Sequence, residues 1–179
     1  MKKLILIRHA KSSWKNPDCA DCDRPLTKRG KNDALTMGAW LRDGKFRPSL
    51  IVSSPAKRAT ATLKRIVAEM GIAEKKIERH GRVYEADAQD LLDFVRGLED
   101  FHEEVMVCGH NPALTDFCTC LFGCCFDNLP TCAVVVIELL VDTWGNVTDG
   151  CGKILSWNCP KNLLWKRYPD EVRQHVEKV

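Results

Sequence analysis

The sequence predicts an α/β fold: three layers, α/β/α, around a mostly parallel sheet with an antiparallel edge hairpin. Three observations carry this. Short runs that are apolar throughout, residues 4–7 and 105–108, have the pattern of parallel strands buried on both faces. Segments of helical period alternate with them, the arrangement that places helices on both sides of a sheet. A β-branched run over residues 132–141 leads through Trp144-Gly145-Asn146 to a return strand at 153–157, the pattern of a hairpin.

Taken in order, the strand at 4–7 is followed by a polar loop and then by Thr27, a suitable cap for a helix running to about residue 43. Ala34, Met37, Gly38 and Leu41 follow i, i+3, i+4, i+7 spacing, and Gly44 supplies the stop. Residues 50–53 read as the next strand. Ser54 as N-cap and Pro55 as first helical residue then open a helix whose inward stripe is Ala56, Ala59, Thr60, Leu63, Val67 and Met70, closed by Gly71. A short strand near 77–78 precedes the loop Tyr84-Glu85-Ala86-Asp87, with Asp87 capping a helix that carries Leu91, Leu92, Val95 and Leu98. The strand at 105–108 turns through Gly109-His110-Asn111-Pro112 into a helix from 113 to about 122. The last twenty residues read as a surface segment with a short helix.

A chain of 179 residues without repeats, linkers or low-complexity tracts is expected to form one domain, residues 1–179. Its 45% hydrophobic and 28% charged residues are those of a globular protein, and a net charge of +3 gives no reason to expect nucleic-acid binding. The first apolar run stops at Arg8, short of the roughly seven to fifteen residues of a secretory core, and no run approaches the ~18 residues of a membrane span. A cytoplasmic protein without a membrane partner is expected. Of the ten cysteines, Cys19-x-x-Cys22 has the spacing of half a zinc site. Its nearest complement, Cys118-x-Cys120 with Cys124-Cys125, falls on a helix face and end rather than on a turn, so free thiols are the favoured reading over a thiol or zinc-binding module.

Chemistry concentrates where strands end. Arg8-His9 follows the first strand, Arg58 sits in the first turn of the helix after the second, and His110 follows the strand at 105–108. Ligands of open α/β sheets bind outside the carboxyl ends of the strands. Two arginines and two histidines converging there suit a doubly charged anion, phosphate above all.

These residues resemble the histidine phosphatase superfamily with its phosphoglycerate-mutase-like fold, and within it the small phosphohistidine phosphatases of SixA type. The motifs are Arg8-His9-Ala10-Lys11, Arg24-Pro25-Leu26-Thr27 with Gly30, Ser53-Ser54-Pro55 with Arg58-Ala59, Tyr84-Glu85, and Gly109-His110-Asn111-Pro112. They occur in the family's order between about residues 4 and 112. Most of the superfamily has Gly where this chain has Ala10, and the Ala-Lys form is similar to the SixA-like subgroup. The chain also lacks the long insertions that roof the site in mutases.

The resemblance implies that His9 is the nucleophile, forming a phosphohistidine intermediate that water cleaves, and that it needs a neutral ring with one nitrogen held as a donor. It implies phosphate binding by Arg8 and Arg58, whose planar forks grip oxygens bidentately, and by Arg24. His110 is expected to complete the pocket, either donating to phosphoryl oxygens as a cation or steadying transition-state charge. Glu85 is the candidate general acid. His80, His102 and His175 are expected on the surface. No metal and no cofactor is expected, and no nucleotide loop of the G-x-x-x-x-G-K type is present. The expected substrate is a phosphohistidine on a protein, with a small phosphate ester on the same site as the alternative.

Overall fold

The computed structural model describes residues 1–126 and 128–165. Six strands form one sheet: β1 (Lys2–Arg8), β2 (Leu50–Ser53), β3 (Ile77–Arg79), β4 (Glu104–Gly109), β5 (Val134–Leu139) and β6 (Gly152–Asn158), in the order β3-β2-β4-β1-β5-β6. Strands β1 to β4 are mutually parallel, β5 runs antiparallel to β1, and β6 pairs antiparallel with β5 at the edge. The predicted architecture is the observed one.

Alternation along β1 divides the core. Leu4 and Leu6 face α3 (Ala88–Arg96) and α4 (Ala113–Phe122), packing with Leu91, Val95, Leu114 and Phe117. Ile5 and Ile7 face α1 (Lys28–Asp43) and α2 (Lys57–Glu69), packing with Met37, Leu41, Leu63 and Ile66. A short α5 (Pro160–Trp165) adds Leu163 to that second side. The remainder of the predicted C-terminal surface segment, with His175, lies outside the described residues. Among the described residues no helix is long and apolar enough to cross a membrane.

Local signals account for most boundaries. The Thr27 hydroxyl accepts from Gly30 N–H at 3.0 Å, and the Asp87 carboxylate and Asp90 form a capping box at the start of α3. Gly71 and Gly123 close α2 and α4 with φ of +70° and +64°. Two expectations need correction and a third needs extending. Helix α2 begins at Lys57 with Ala56 as its cap, not at Pro55; the Ser54 hydroxyl still accepts from the Ala56 N–H at 3.3 Å and lies 2.7 Å from His110 Nε2. Strand β5 is shorter than residues 132–141, since Cys132 takes a left-handed φ of 62°. The turn expected at Trp144-Gly145-Asn146 forms, as one turn of 3-10 helix, but inside a longer β5–β6 connection over residues 140–151, with Trp144 fully buried and its indole N–H donating to the His102 carbonyl at 2.8 Å.

The motif around Arg24 and Gly30 packs the loop that follows His9. Thr27 donates through both its N–H (2.9 Å) and its hydroxyl (3.1 Å) to the Lys11 carbonyl. A Cβ on Gly30 would stand 2.2 Å from that same oxygen, so only glycine lets α1 approach this closely. Gly30→Ala is therefore expected to push the Lys11 segment outward, costing about 1–3 kcal/mol of stability measured by urea unfolding, and to lower phosphatase activity at temperatures where the variant stays folded. Unchanged stability and turnover would refute the packing role.

Candidate active site

Register brings the key side chains together. Arg8 pairs with Gly109 across β1 and β4, so the residues that follow, His9 and His110, meet with ring centroids 5.0 Å apart. Ser53 pairs with Cys108 across β2 and β4, which places Ser54 and the first turn of α2 at the same rim. Thr62 ties these ends together: its hydroxyl accepts from Ala10 N–H at 3.0 Å and donates to the Arg58 carbonyl at 2.7 Å.

The His9 ring is fixed at both nitrogens. Nδ1 donates to the Ala10 carbonyl at 2.8 Å, leaving Nε2 with a lone pair, toward which the Arg58 Nε–H points at 3.3 Å. Burial lowers the His9 pKa to about 4, with the charges of Arg58, Arg8 and Arg24 acting in the same direction and the Ala10 bond opposing them. The neutral tautomer that a nucleophilic imidazole needs is thus the resting state. For His110, burial followed by the proximity of His9 and Arg58 lowers the pKa to about 3. Its Nε2 lies 2.7 Å from the Ser54 hydroxyl, and its buried Nδ1 has no hydrogen-bond partner among the described residues. Neutral His110 can take the Ser54 proton at Nε2 and keep its own on Nδ1.

A cavity of about 250 Å³ opens beside these rings, lined by Arg8, His9, Lys11, Ser12, Trp14, Arg24, Arg58, His110, Asn111 and Thr131. Arg8 donates to the Leu129 carbonyl, while its buried Nε lacks a partner among the described residues. Arg24 and Arg58 are 6% and 5% exposed, so Arg24 is anchored in the pocket wall rather than waving on its loop. Concavities of about 500 Å³ at Lys64, Glu74 and Arg79 and about 450 Å³ at Phe126 and Trp157 are larger, but neither is lined by a histidine.

Of the residues predicted from sequence, Arg8, His9, Arg24, Arg58 and His110 converge on this cavity. Glu85 does not line it; that side chain is exposed and makes no hydrogen bond or ion pair among the described residues. His80 is exposed and His102 half-buried, bonded to the Ser49 hydroxyl at 3.0 Å; neither lines the cavity. Among the described residues no three His, Cys, Asp or Glu side chains cluster to hold a metal, and the ten cysteines are unpaired. Burial drives the Cys108 and Cys132 thiols well above their ordinary pKa.

Sequence reasoning missed Asp21. Its carboxylate pairs with Arg58 Nη2 (2.9 Å) and Arg24 Nη2 (3.0 Å) and accepts from the Tyr84 hydroxyl (2.9 Å), and its carbonyl accepts from Arg58 Nη1 (2.6 Å). Burial opposes its charge, but the bonds from Tyr84 and Arg58 and the charges of Arg58 and Arg24 outweigh this and hold the carboxyl below its usual value. Tyr84 in turn packs edge-on against His110, centroids 5.6 Å apart. The i, i+3 spacing of Asp21 and Arg24 was a visible signal; the bonds to Arg58 and Tyr84 cross the sequence and were not.

Fold and site together define a histidine-centred phosphoryl-transfer protein. A model of the histidine phosphatase superfamily (branch 1) matches residues 4–93. An uncharacterized chloroplastic protein of Arabidopsis thaliana is 30% identical over 151 residues, covering 80% of this chain and 69% of that protein. The chain belongs to the histidine phosphatase superfamily, and a phosphatase activity follows from that membership. In fold it matches the protein histidine phosphatase SixA solved with tungstate, at a TM-score of 0.77, 21% identity and coverage of 90% of this chain and 99% of that one. A SixA protein from Agrobacterium tumefaciens gives 0.76, 24%, 89% and 98%.

The pKa values set an expected pH response. Below pH 6.5 the unfolded chain takes up protons at both histidines, while the folded protein resists until about pH 4 at His9 and about pH 3 at His110. Stability should therefore fall as pH drops through that window. Nitrogen-15 imidazole spectra should show both rings unprotonated at pH 5.5, and His9→Asn and His110→Asn should each flatten the acid side of a Tm-against-pH curve. A charged ring at pH 5.5 in the free protein would contradict the assignment.

Proposed function

We propose that this chain hydrolyses phosphohistidine on proteins through a covalent intermediate on His9. The observation that carries the chemistry is the His9 ring, its Nδ1–H spent on the Ala10 carbonyl and its unprotonated Nε2 met by the Arg58 Nε–H in the wall of the cationic cavity. The Nε2 lone pair attacks phosphorus as the bond from phosphorus to the leaving imidazole breaks. Water then attacks phosphorus, and the P–Nε2 bond breaks to release phosphate and restore His9. Arg8, Arg58 and Arg24 hold the non-bridging oxygens, and the proton on His110 Nδ1 supplies a further donor. Positioning and charge stabilisation of this kind are the main contributions a protein makes to phosphoryl transfer. No step requires a metal.

The size of the cavity favours a protein-borne substrate. At about 250 Å³ it is smaller than the roughly 300–1,000 Å³ of sites that enclose small ligands. It accommodates a phosphoryl group with little more than the ring or short chain that bears it, so the remainder of a larger substrate stays outside on the surface. A phosphate ester of a small molecule is the second reading, since it would use the same residues. Unpaired thiols, ten in all, support a cytoplasmic setting.

His9→Ala is expected to abolish turnover with the fold intact, because His9 is half-buried at a strand end and contributes little packing. Wild-type protein quenched during turnover of a labelled substrate, with EDTA present throughout, should carry acid-labile, base-stable phosphate on a nitrogen. Activity in the alanine variant, or loss of wild-type activity in EDTA restored by one divalent ion, would refute the mechanism.

Glu85, exposed and outside the cavity lining, is left with a proton-donor role only toward leaving groups that project beyond the cavity and need a proton. Glu85→Gln should barely change hydrolysis of phosphohistidine, because imidazole departs with modest proton assistance. It should slow an alkyl phosphate by ~10²-fold or more, the size of a general-acid contribution. Equal effects on both substrates would remove Glu85 from that role.

A further inference from the structure

Trp14 is not accounted for by the phosphoryl chemistry. It lies on the loop after β1 and lines the cavity, yet its side chain is 72% exposed. One face of the indole is covered: the Arg24 guanidinium carbon stands 3.6 Å from the ring centroid. That guanidinium is immobilised, with Nε donating to Asp21 Oδ1 at 3.0 Å, Nη1 to the Ser12 hydroxyl at 2.9 Å and Nη2 paired with Asp21 Oδ1 at 3.0 Å. The stacked pair therefore presents a supported aromatic plane at the rim of the pocket. A phosphoryl group seated against His9 shares the cavity with its leaving group, and Trp14 is part of the wall that the leaving group meets on its way to solvent.

We infer that Trp14 is a stacking platform for planar, ring-bearing leaving groups and gives the site a preference for them over alkyl phosphates. The inference rests on the reading of this cavity as the phosphoryl site, and it deepens that reading by naming the leaving-group class. A flat ring lies against an indole with full contact and a favourable offset geometry. An alkyl chain covers less of the plane and gains no such alignment. Imidazole, the leaving group of phosphohistidine, is a neutral planar ring that meets the requirement, and so is a phenyl group. Tryptophan suits the position because it offers area without a hydrogen bond that must be met on its open face.

The test is equilibrium binding of phenylphosphonate and ethylphosphonate, which cannot turn over, to wild-type protein, Trp14→Ala and Trp14→Phe, measured by calorimetry. The wild type should prefer phenylphosphonate. That preference should fall about 3–10-fold in Trp14→Ala, the range of an aromatic pair, and be largely kept in Trp14→Phe. Comparing the ratio removes any shared effect of a loosened Arg24. Equal weakening of both ligands, an unchanged ratio, or no binding of either phosphonate to the wild type would overturn the platform. Turnover of a phosphohistidine peptide by the wild type is measured separately. If the ratio shifts but the peptide is not hydrolysed, the platform stands and the protein-phosphohistidine reading falls. Hydrolysis with an unmoved ratio gives the reverse.

Discussion

The parallel pairing of β1 with β4 is the constraint on which the rest of this molecule depends. Arg8 opposite Gly109 sets both strands to end at one level, and that alone brings His9 to His110. The register is enforced by burial rather than by the site. Shifting β1 by one residue would move Leu4 and Leu6 to the α1–α2 face and Ile5 and Ile7 to the opposite one, and shifting β4 would exchange Val105 and Val107 with Met106 and Cys108, either way undoing two packed cores at once. The chemistry is thus positioned by the most stable part of the fold, and the loops contribute only what must surround it.

Those loops solve an electrostatic problem. Arg8, Lys11, Arg24 and Arg58 crowd one small cavity together with two imidazoles. Burial and the arginines keep both imidazoles uncharged, which prevents six positive groups from facing one another. Asp21 neutralises part of the remainder from behind, and it does so through the outer edges of Arg24 and Arg58. The Arg58 Nε–H is left facing His9. One carboxylate therefore limits repulsion and sets orientation together, and the Tyr84 hydroxyl holds it in place.

Much of this could be read from the chain because the signals were local. The apolar runs of β1 and β4, the Thr27 cap and the Gly71 stop each follow from a few adjacent residues, and the strand ends then place Arg8, His9, Arg58 and His110. What escaped was set by partners distant in sequence. Ser54 has the composition of a helix cap and does accept from the Ala56 N–H, but the helix starts later and the same hydroxyl also meets His110, a partner 56 residues away. Trp144 resembles a turn residue beside Gly145, yet a core site and the His102 carbonyl claim it. Asp21 shows a local pairing with Arg24, while its bonds to Arg58 and Tyr84 exist only once three separate segments have folded together.

The Arg8 Nε and His110 Nδ1 are buried without a hydrogen-bond partner among the described residues. Donors of this kind are held in place at a cost to folding, and an anion that satisfies them returns that free energy to the native state. Folding and phosphate are therefore thermodynamically linked. A ligand present at a hundred times its dissociation constant adds about 2.7 kcal/mol to the stability of the form that binds it. On the proposed function, the phosphate released by each turnover would be such a ligand. Donors that bind both substrate and product would then tie product release to stability, so that ambient phosphate would set both how durable the protein is and how quickly it is free to act again.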